Sequence, residues 1–310
     1  MGSRDRSRGK NMEVITQQQV SDYKPIPALG QMIEAEKLAI RSELYYKNLE
    51  DQGSLGHLPY NEVRGEFEFL PCEISLWSGE AKSKKSFFTG FQMLHLALNK
   101  QKCAIASFEM PPEVTFERMA RAYTGKKMRT DGLDKMDLGE RVQDYLYVYD
   151  FIGQAEVKDV YEYVHFCAGD LKCNHILIDS LMMIQFSSSH EIQNDQKNFI
   201  TQLMALAKRY SVHIHLVTHF KKPDKSNKSA NAYDTAGTAA LINVPSNVFL
   251  IEKTITSEGV KGVGLTLSRS RSFVEWDEGL GLKFRDNFQF AHWKNTFSMS
   301  QEDMNKGCYF

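Results

Sequence analysis

A chain of 310 residues with 42% hydrophobic and 25% charged side chains has the ordinary composition of a globular protein with one large domain or two small ones. The formal net charge of −1 excludes a strong electrostatic field of one sign over the whole molecule, so any binding of a polyanion must come from local clusters of Lys and Arg. The five cysteines are odd in number and form no C-x-x-C pair, which argues against a disulfide framework or a zinc site and favours a reducing compartment.

The N-terminal part of the chain is predicted to be an arm followed by a helix and a linker. We expect 1–25 to be flexible, whereas apolar positions at helical spacing predict a helix within 26–51 and a Gly-, Pro- and Asn-rich stretch at 53–65 predicts a linker. The predicted divisions are therefore a flexible arm at 1–25, a linker helix and linker at 26–64, a main domain at 65–295 and a C-terminal tail at 296–310. No apolar stretch of transmembrane length occurs, so we expect a soluble protein without a membrane partner.

Apolar stretches rich in β-branched and aromatic residues predict the strands of a sheet, at 74–77, 103–108, 146–151, 175–178, 212–218, 248–251 and 263–267. Helical patterns separate most of the first five stretches. Continuous apolar strands that alternate with helices predict an α/β domain with a mostly parallel sheet covered on both faces. Ligands of such sheets bind beyond the carboxyl ends of the strands, and each polar motif described below follows a predicted strand.

The segment after the first strand has the pattern of a phosphate-binding loop with one changed letter. Gly79, Lys85 and Ser86 match the end points of G-x-x-x-x-G-K-[ST], in which backbone N–H groups at a helix N-terminus cradle phosphates, the ammonium reaches the β- and γ-phosphates and the hydroxyl meets Mg²⁺. Lys84 replaces the second glycine, and Lys82 stands where a further glycine is common; a positive φ at Lys84 would cost about 1–2 kcal/mol. The alternative is an exposed basic turn. The candidate nucleotide-binding residues are Gly79, Glu80, Ala81, Lys82, Ser83, Lys84, Lys85 and Ser86.

Two acidic residues follow later strands. Glu109 follows the second strand and could orient and polarise an attacking water, or could simply favour a helix N-terminus through the helix dipole. Asp179 ends the apolar strand at 175–178, as does the carboxylate by which nucleoside triphosphatases hold Mg²⁺. The alternative for Asp179 is an ordinary polar end of a buried strand.

An imidazole and then a lysine-rich loop follow the strand at 212–218. His219 is placed to sense a γ-phosphate, and a metal site involving His213 and His215 is disfavoured because no Cys or paired carboxylate completes a ligand set. The loop could bind the phosphates of a nucleic acid, or could be an ordinary solvated loop. Its candidate DNA-binding residues are Lys221, Lys222, Lys225, Lys228 and Gly237.

Two arginines, Arg269 and Arg271, leave the strand at 263–267. Side chains two residues apart on a strand share a face, so both guanidinium groups could reach the triphosphate of a neighbouring subunit as arginine fingers. The alternative is an exposed basic edge.

The order of these motifs resembles that of hexameric replicative helicases. The phosphate loop, the segments 107–111, 178–179 and 216–221, and the Arg-Ser-Arg run at 269–271 follow one another as in the RecA-like domain of the DnaB superfamily, over roughly 65–293. The histidine at 219 makes the chain more similar to the phage primase-helicase and Twinkle branch, whereas the Phe-Glu-Met-Pro segment is more similar to bacterial DnaB. The resemblance implies a RecA-like P-loop NTPase core with an N-terminal helical arm.

The same resemblance implies roles for individual residues. Lys85 would bind the β- and γ-phosphates of ATP, Ser86 and Asp179 would hold Mg²⁺, and Glu109 would be the catalytic base. His219 would sense the γ-phosphate and DNA. The residues acting on the neighbouring subunit's ATP or holding the adenine would be Arg271, Arg269, Lys253 and Phe284. The region 227–240 would match the DNA-binding loop of the central channel, and the helix within 26–51 would dock on the next subunit.

The function implied is an ATP-dependent DNA helicase of phage or plasmid type. It would form a ring, with six copies as the expected number, move 5′ to 3′ on single-stranded DNA and unwind forked duplex DNA in the cytoplasm of a bacterial or phage-infected cell. Priming and synthesis would come from a separate primase and polymerase. The alternatives are a RecA-like DNA-binding scaffold or helicase loader with weak or no hydrolysis, favoured by Lys84, and a recombinase-type filament.

Overall fold

In a computed structural model, the chain is described over residues 34–40, 42–43, 54–127, 129–186, 192–219, 239–255, 261–276, 279–285 and 288–292. The chain divides into two compact units, Met1–Asp51 and Gln52–Phe310. In the first unit, residues 35–40 and 42–43 are helical and fall within the predicted helix. The predicted arm at 1–25 and tail at 296–310 lie outside the described residues.

The second unit alternates strands and helices along the chain. Its strands are β1 (Glu73–Gly79), β2 (Cys103–Ser107), β3 (Leu146–Val148), β4 (Ala155–Glu156), β5 (His175–Asp179), β6 (Ile184–Gln185), β7 (His213–Val217), β8 (Asn247–Ile255), β9 (Lys261–Ser270), β10 (Leu280–Phe284) and β11 (Phe290–His292). Its α-helices are α1 (Lys85–Leu98), α2 (Pro112–Thr124), α3 (Gly132–Val142), α4 (Val157–Gly169), α5 (Ile192–Tyr210) and α6 (Ala240–Asn243), and 3₁₀ helices cover Asn61–Val63 and Leu181–Met183. Within the described ranges, no helix is both long and apolar enough to cross a membrane.

Nine strands form one sheet in the order β11-β10-β9-β8-β1-β7-β5-β2-β3. The six strands from β8 to β3 are parallel, whereas β9, β10 and β11 continue the sheet as antiparallel neighbours. β4 and β6 form a separate parallel pair. All seven predicted strands are present, and the predicted α/β class with a mostly parallel sheet is confirmed. The sequence patterns missed β4, β6, β10 and β11, each of which has five residues or fewer.

Helices cover both faces of the sheet, which explains why its central strands are apolar on both sides. Successive side chains of a strand point to opposite faces, and accordingly Trp77 and Leu76 of β1 belong to two different clusters of buried residues. The first cluster contains side chains of α1, α2 and α3, and the second contains those of α4, α5 and α6. Burial of one large apolar side chain contributes about 1.5–3 kcal/mol.

The segment predicted as a linker is part of the second unit, which begins at Gln52 and not at 65. Leu55, Leu58, Tyr60 and Val63 are buried in the cluster on the α1 face. The turn-forming residues of this segment identified loops correctly, but the apolar residues between them are held by the core. Burial of these apolar side chains moves the boundary toward the N-terminus.

Buried histidines connect this segment to the sheet through a chain of hydrogen bonds. The indole Nε1 of Trp77 donates to Nδ1 of His215 at 3.2 Å. Because an indole can only donate, His215 must carry its proton on Nε2, which lies 3.0 Å from Nδ1 of His175. Nε2 of His175 then donates to the carbonyl oxygen of Leu55 at 2.7 Å. The chain is satisfied only when both imidazoles are neutral.

The histidine cluster predicts a loss of stability on acidification. Burial lowers the pKa of His175 to about 4, the pKa of His213 to about 3 and the pKa of His215 well below its usual value. Their contribution to stability is complete above the unfolded pKa of about 6.5 and falls as the unfolded rings bind protons, by about 1.4 kcal/mol per histidine and pH unit. The free energy of unfolding, measured by chemical denaturation from pH 7.5 to 5, should therefore decrease steeply below pH about 6.5. His175→Asn should reduce that slope, and a free energy independent of pH in this range would contradict the assignment.

Candidate nucleotide site at the carboxyl edge of the sheet

The carboxyl ends of the parallel strands bring the predicted motifs to one edge of the sheet. β1 ends at Gly79, between β7 and β8, where a Cβ atom would collide with the carbonyl oxygen of Ile251. Glycine is therefore required for the chain to leave β1 at this point. Ser107 and Asp179, the last residues of β2 and β5, lie opposite each other in register.

The loop after β1 has two lysines in a left-handed conformation. Lys84 has φ 73° and ψ 20° and caps the N-terminus of α1, and Lys82 has φ 63°. These are the two positions where glycine was expected from the loop pattern. The first helical hydrogen bond runs from the N–H of Phe88 to the carbonyl oxygen of Lys84 at 2.9 Å. The helix N-terminus of a phosphate loop is thus formed without its usual glycines, at a conformational cost of about 1–2 kcal/mol for each lysine.

The ammonium of Lys85 lies beneath this loop. Its Nζ donates to the carbonyl oxygens of Gly79 at 2.8 Å and of Glu80 at 2.6 Å, and the residue is 4% exposed. Burial lowers the pKa of Lys85 to about 8, against the opposing charges of Asp179 and Glu109. The side chain is therefore largely protonated at neutral pH and lies close to both predicted carboxylates.

The hydroxyl and carboxylate expected to hold a cation meet beside Lys85. Burial raises the pKa of Asp179 to about 6, and a hydrogen bond with Ser86 opposes this shift. Glu109 is exposed and accepts a hydrogen bond at Oε1 from the hydroxyl of Ser180 at 3.3 Å. Oxygen ligands of this kind suit Mg²⁺. Ser86 and Asp179 therefore fit the ligand type predicted for them.

His219 and three buried hydroxyls line the same edge. Burial lowers the pKa of His219, the charge of Lys85 lowers it further, and the charge of Glu109 raises it. Within the described part of the chain, the hydroxyl oxygens of a loop residue and of two residues at strand ends are buried without a hydrogen-bond partner. They are those of Ser83, Ser107 and Thr218. Buried polar atoms without a protein partner are expected where a polar ligand or water binds.

The two residues expected to hold the adenine flank the loop. Nζ of Lys253 donates to the carbonyl oxygen of Ala81 at 3.2 Å. The ring centroid of Phe284 lies 4.7 Å from Nζ of Lys84. The structure thus places both beside the phosphate loop, and their contact with a base stays a prediction.

A cluster of aromatic rings and arginines next to the loop was missed in the sequence. Phe87 stacks on Phe288 with ring centroids 5.2 Å apart, and the guanidinium of Arg118 lies 4.2 Å from the Phe87 centroid. The charge of Arg118 also lowers the pKa of Asp179, against the dominant effect of burial. Arg118 lies within a helix and follows no strand, so the search for strand-end motifs passed over it. The position of Phe87 directly after Ser86 was the one available signal.

The two candidate finger arginines do not lie at this edge. β9 is antiparallel to β8, so its carboxyl end is beside the amino end of β1, near Glu73. The seven residues of β1 separate that point from Gly79 by roughly 20 Å. The expectation that every polar motif lies at the same edge is therefore wrong for Arg269 and Arg271. Antiparallel pairing of the strand that carries them is the reason.

Other predicted residues lie outside the site or outside the described ranges. The rings of His213 and His215 are engaged in buried hydrogen bonds of the core. Among the side chains that the structure describes, no group of three or more His, Cys, Asp or Glu is arranged to hold a metal ion. The candidate DNA-binding residues lie in the undescribed stretch 220–238. They are Lys221, Lys222, Lys225, Lys228 and Gly237.

A matched pair of substitutions at Lys84 separates backbone strain from charge. Both Lys84→Gly and Lys84→Ala remove the ammonium that lies over Phe284, but only alanine keeps a side chain in the left-handed conformation. We expect the glycine variant to be more stable than the alanine variant by about 1 kcal/mol in chemical denaturation. Equal stabilities would contradict the strain at Lys84. A lower ATP affinity shared by both variants, relative to the wild type, would measure the ammonium's contribution.

Comparison with known proteins identifies the fold. No protein-family model matches the chain, and no curated protein matches it in sequence. Among solved structures, the ATPase domain of a phage DnaB-like replicative helicase superposes with a TM-score of 0.68 at 11% sequence identity, and the match covers 84% of this chain and 99% of that one. At this identity the likeness establishes the fold, and activity must be argued from the site. The chain has the RecA-like fold of a helicase ATPase domain, which confirms at the level of fold the resemblance drawn from the motifs.

Proposed function

We propose that this protein is an ATP-driven DNA helicase that translocates on single-stranded DNA and unwinds duplex DNA. The observation that carries the proposal is the convergence of Lys85, Asp179, Glu109 and His219 at one edge of the sheet. Each comes from a different strand end or loop, and the charges of Asp179 and Glu109 act on the pKa of Lys85. Fold and convergent site together favour nucleoside triphosphate hydrolysis over a merely basic turn.

The phosphate loop would hold ATP through its backbone and Lys85. Before nucleotide binds, the ammonium is held by two loop carbonyls, and it would exchange these for β- and γ-phosphate oxygens. Ser86 and Asp179 would hold Mg²⁺, which neutralises phosphate charge when bound. The loop N–H groups at the start of α1 would face the phosphates, because the N-terminus of a helix favours negative charge.

Glu109 would orient the attacking water and accept its proton. Its carboxylate is exposed, accepts a hydrogen bond from Ser180 at 3.3 Å and acts electrostatically on both Lys85 and His219. An ionised carboxylate beside the γ-phosphate position is the arrangement that general base catalysis requires. His219 shares the charges of Lys85 and Glu109 and leads into the lysine-rich loop, so it would report the state of the γ-phosphate to that loop.

Arg271 and Arg269 would act on the ATP of a neighbouring subunit. They lie at the edge opposite the phosphate loop, roughly 20 Å from it along β1, which is farther than a side chain can span. If they stabilise transition-state charge, they must do so in a second copy of the chain. The proposal therefore includes a ring, with six copies as the expected number, in which each ATP site is completed by the next subunit.

DNA would be held by the segment 220–240 in the centre of the ring. Its lysines, Lys221, Lys222, Lys225 and Lys228, would meet backbone phosphates, with an affinity that falls as salt increases. The helix within 26–51 would dock on the next subunit. We propose movement 5′ to 3′ in the cytoplasm of a bacterial or phage-infected cell, with a separate primase and polymerase.

A DNA-binding scaffold or loader that binds ATP without hydrolysing it is favoured by one observation. Both Lys82 and Lys84 hold left-handed conformations that glycine adopts at lower cost. Nucleotide binding without turnover would support that alternative. A recombinase-type filament shares the same core, and an open helix in negative-stain images, instead of a closed ring, would support it.

ATP turnover with and without single-stranded DNA tests the proposed activity. We expect DNA to stimulate turnover, and Lys85→Ala to reduce it by about 100-fold or more, because an ammonium that stabilises transition-state charge is removed. Lys100→Ala is the matched control, since this lysine follows the far end of α1 and lies over the Tyr145 ring. Turnover that DNA does not change, or that survives loss of Lys85, would contradict the helicase proposal.

Mixing two inactive variants tests whether Arg271 acts between subunits. Arg271→Ala and Glu109→Gln should each abolish DNA-stimulated hydrolysis and leave nucleotide binding near normal. In a mixed ring, a site with intact Glu109 can meet an intact Arg271 from its Glu109→Gln neighbour, so the mixture should regain part of the activity. A mixture as inactive as its components would count against a finger acting in trans.

A further inference from the structure

The turn that carries Arg271 is fastened to the amino end of β1 by a buried carboxylate. Glu73, the first residue of β1, is 9% exposed. Its Oε1 accepts a hydrogen bond from the hydroxyl of Ser272 at 2.8 Å, and its Oε2 accepts one from Nδ2 of Asn247 at 2.9 Å. The two bonds join β1, β8 and the residue directly after Arg271.

The other side of Arg271 is held by the same network. The hydroxyl of Ser270 donates to Oδ1 of Asn247 at 2.7 Å. The hydroxyl oxygen of Ser270 also accepts from the backbone N–H groups of Ser272 at 3.2 Å and Phe273 at 3.0 Å. Hydroxyl groups on both sides of Arg271 thus close the turn 270–273 and connect it to Asn247.

The guanidinium of Arg271 has a defined direction. Its Nη2 donates to the carbonyl oxygens of Asn243 and Val244, each at 3.0 Å, at the C-terminus of α6. Its backbone N–H donates to the carbonyl oxygen of Ser246 at 3.0 Å. Arg271 is nevertheless exposed, so the side chain is oriented by its own subunit and open to a neighbour.

We propose that Glu73 is a positioning residue for Arg271, which holds the turn 270–273 so that the guanidinium can meet a triphosphate bound in a second copy of this chain. A buried carboxylate is costly unless hydrogen bonds satisfy it, and Ser272 and Asn247 donate to both of its oxygens. Burial raises the pKa of Glu73, and these hydrogen bonds and the charge of Arg271 oppose the shift. The inference rests on the proposed action of Arg271 between subunits.

Glu73→Gln and Ser272→Ala test this role at two levels of severity. The glutamine puts an amide N–H₂ where Oε2 accepted from Asn247, so that two donors meet, whereas Ser272→Ala removes one hydrogen bond and leaves the carboxylate. We expect kcat of DNA-stimulated ATP hydrolysis to fall about tenfold to hundredfold in Glu73→Gln, and less in Ser272→Ala, with little change in the KM for ATP. Glu117→Gln, which removes a carboxylate paired with Lys135 at 2.7 Å on α2, is the matched control and should retain kcat.

A double-mutant cycle distinguishes positioning from general damage. In the Arg271→Ala background, Glu73→Gln should lower the residual turnover by less than about twofold, because a residue that acts through Arg271 has no effect without it. Full additivity of the two losses would overturn the inference.

Hydrogen exchange of the backbone amides in 270–273 gives a readout that needs no catalysis. Exchange at these amides should accelerate in Glu73→Gln and Ser272→Ala but not in Glu117→Gln. If the wild type hydrolyses no ATP while exchange accelerates as expected, the proposed activity fails and the fastening of the turn stands. If turnover depends on Arg271 but neither kcat nor exchange changes in the Glu73 variant, the role of Glu73 is wrong.

Discussion

The position of β1 between two parallel neighbours is the constraint on which the rest of this structure depends. All seven of its residues are buried, and its backbone pairs with β7 on one side and β8 on the other. Its carboxyl end, Gly79, is therefore held at a fixed place beside the ends of β5 and β7, and the following loop must turn there. Its amino end, Glu73, contacts the turn that carries Arg271. One strand thus sets the separation of the phosphate loop from the candidate finger.

Burial determines the electrostatics at the carboxyl edge. It lowers the pKa of Lys85 to about 8 and raises the pKa of Asp179 to about 6, so each group is shifted toward its neutral form. Each charge also favours ionisation of the other. A lysine and a carboxylate in this state can exchange their mutual interaction for a polyanion and a divalent cation at little desolvation cost, because that cost is already part of the folded structure.

The phosphate loop shows how a lysine can occupy a glycine position. The left-handed conformation of Lys84 costs about 1–2 kcal/mol. Its ammonium lies 4.7 Å from the centroid of Phe284 and 5.1 Å from that of Phe87. Each cation–π contact of this kind stabilises by about 0.5–1 kcal/mol at an exposed site. The two contacts offset much of the strain, which explains how the loop keeps its shape with a lysine at this position.

The amino-acid sequence by itself determined the seven longer apolar strands, the α/β class and the phosphate loop. These features depend on hydrophobic periodicity and on residues close together in the chain. It also identified Glu109, Asp179 and His219, because polar residues after apolar parallel strands meet at one edge of a sheet. Local pattern therefore predicted most of the residues at that edge.

Only the tertiary structure decided the direction of β9, the burial of 54–70 and the cluster around Arg118. An apolar strand has the same local pattern whether it pairs parallel or antiparallel, so the sequence could not tell which edge receives Arg269 and Arg271. Leu55 and Tyr60 are held by strands and helices distant in the chain, and Arg118 meets Phe288 across a long separation in sequence. Contacts of this kind depend on how the elements pack, and that information is not contained in any local stretch of residues.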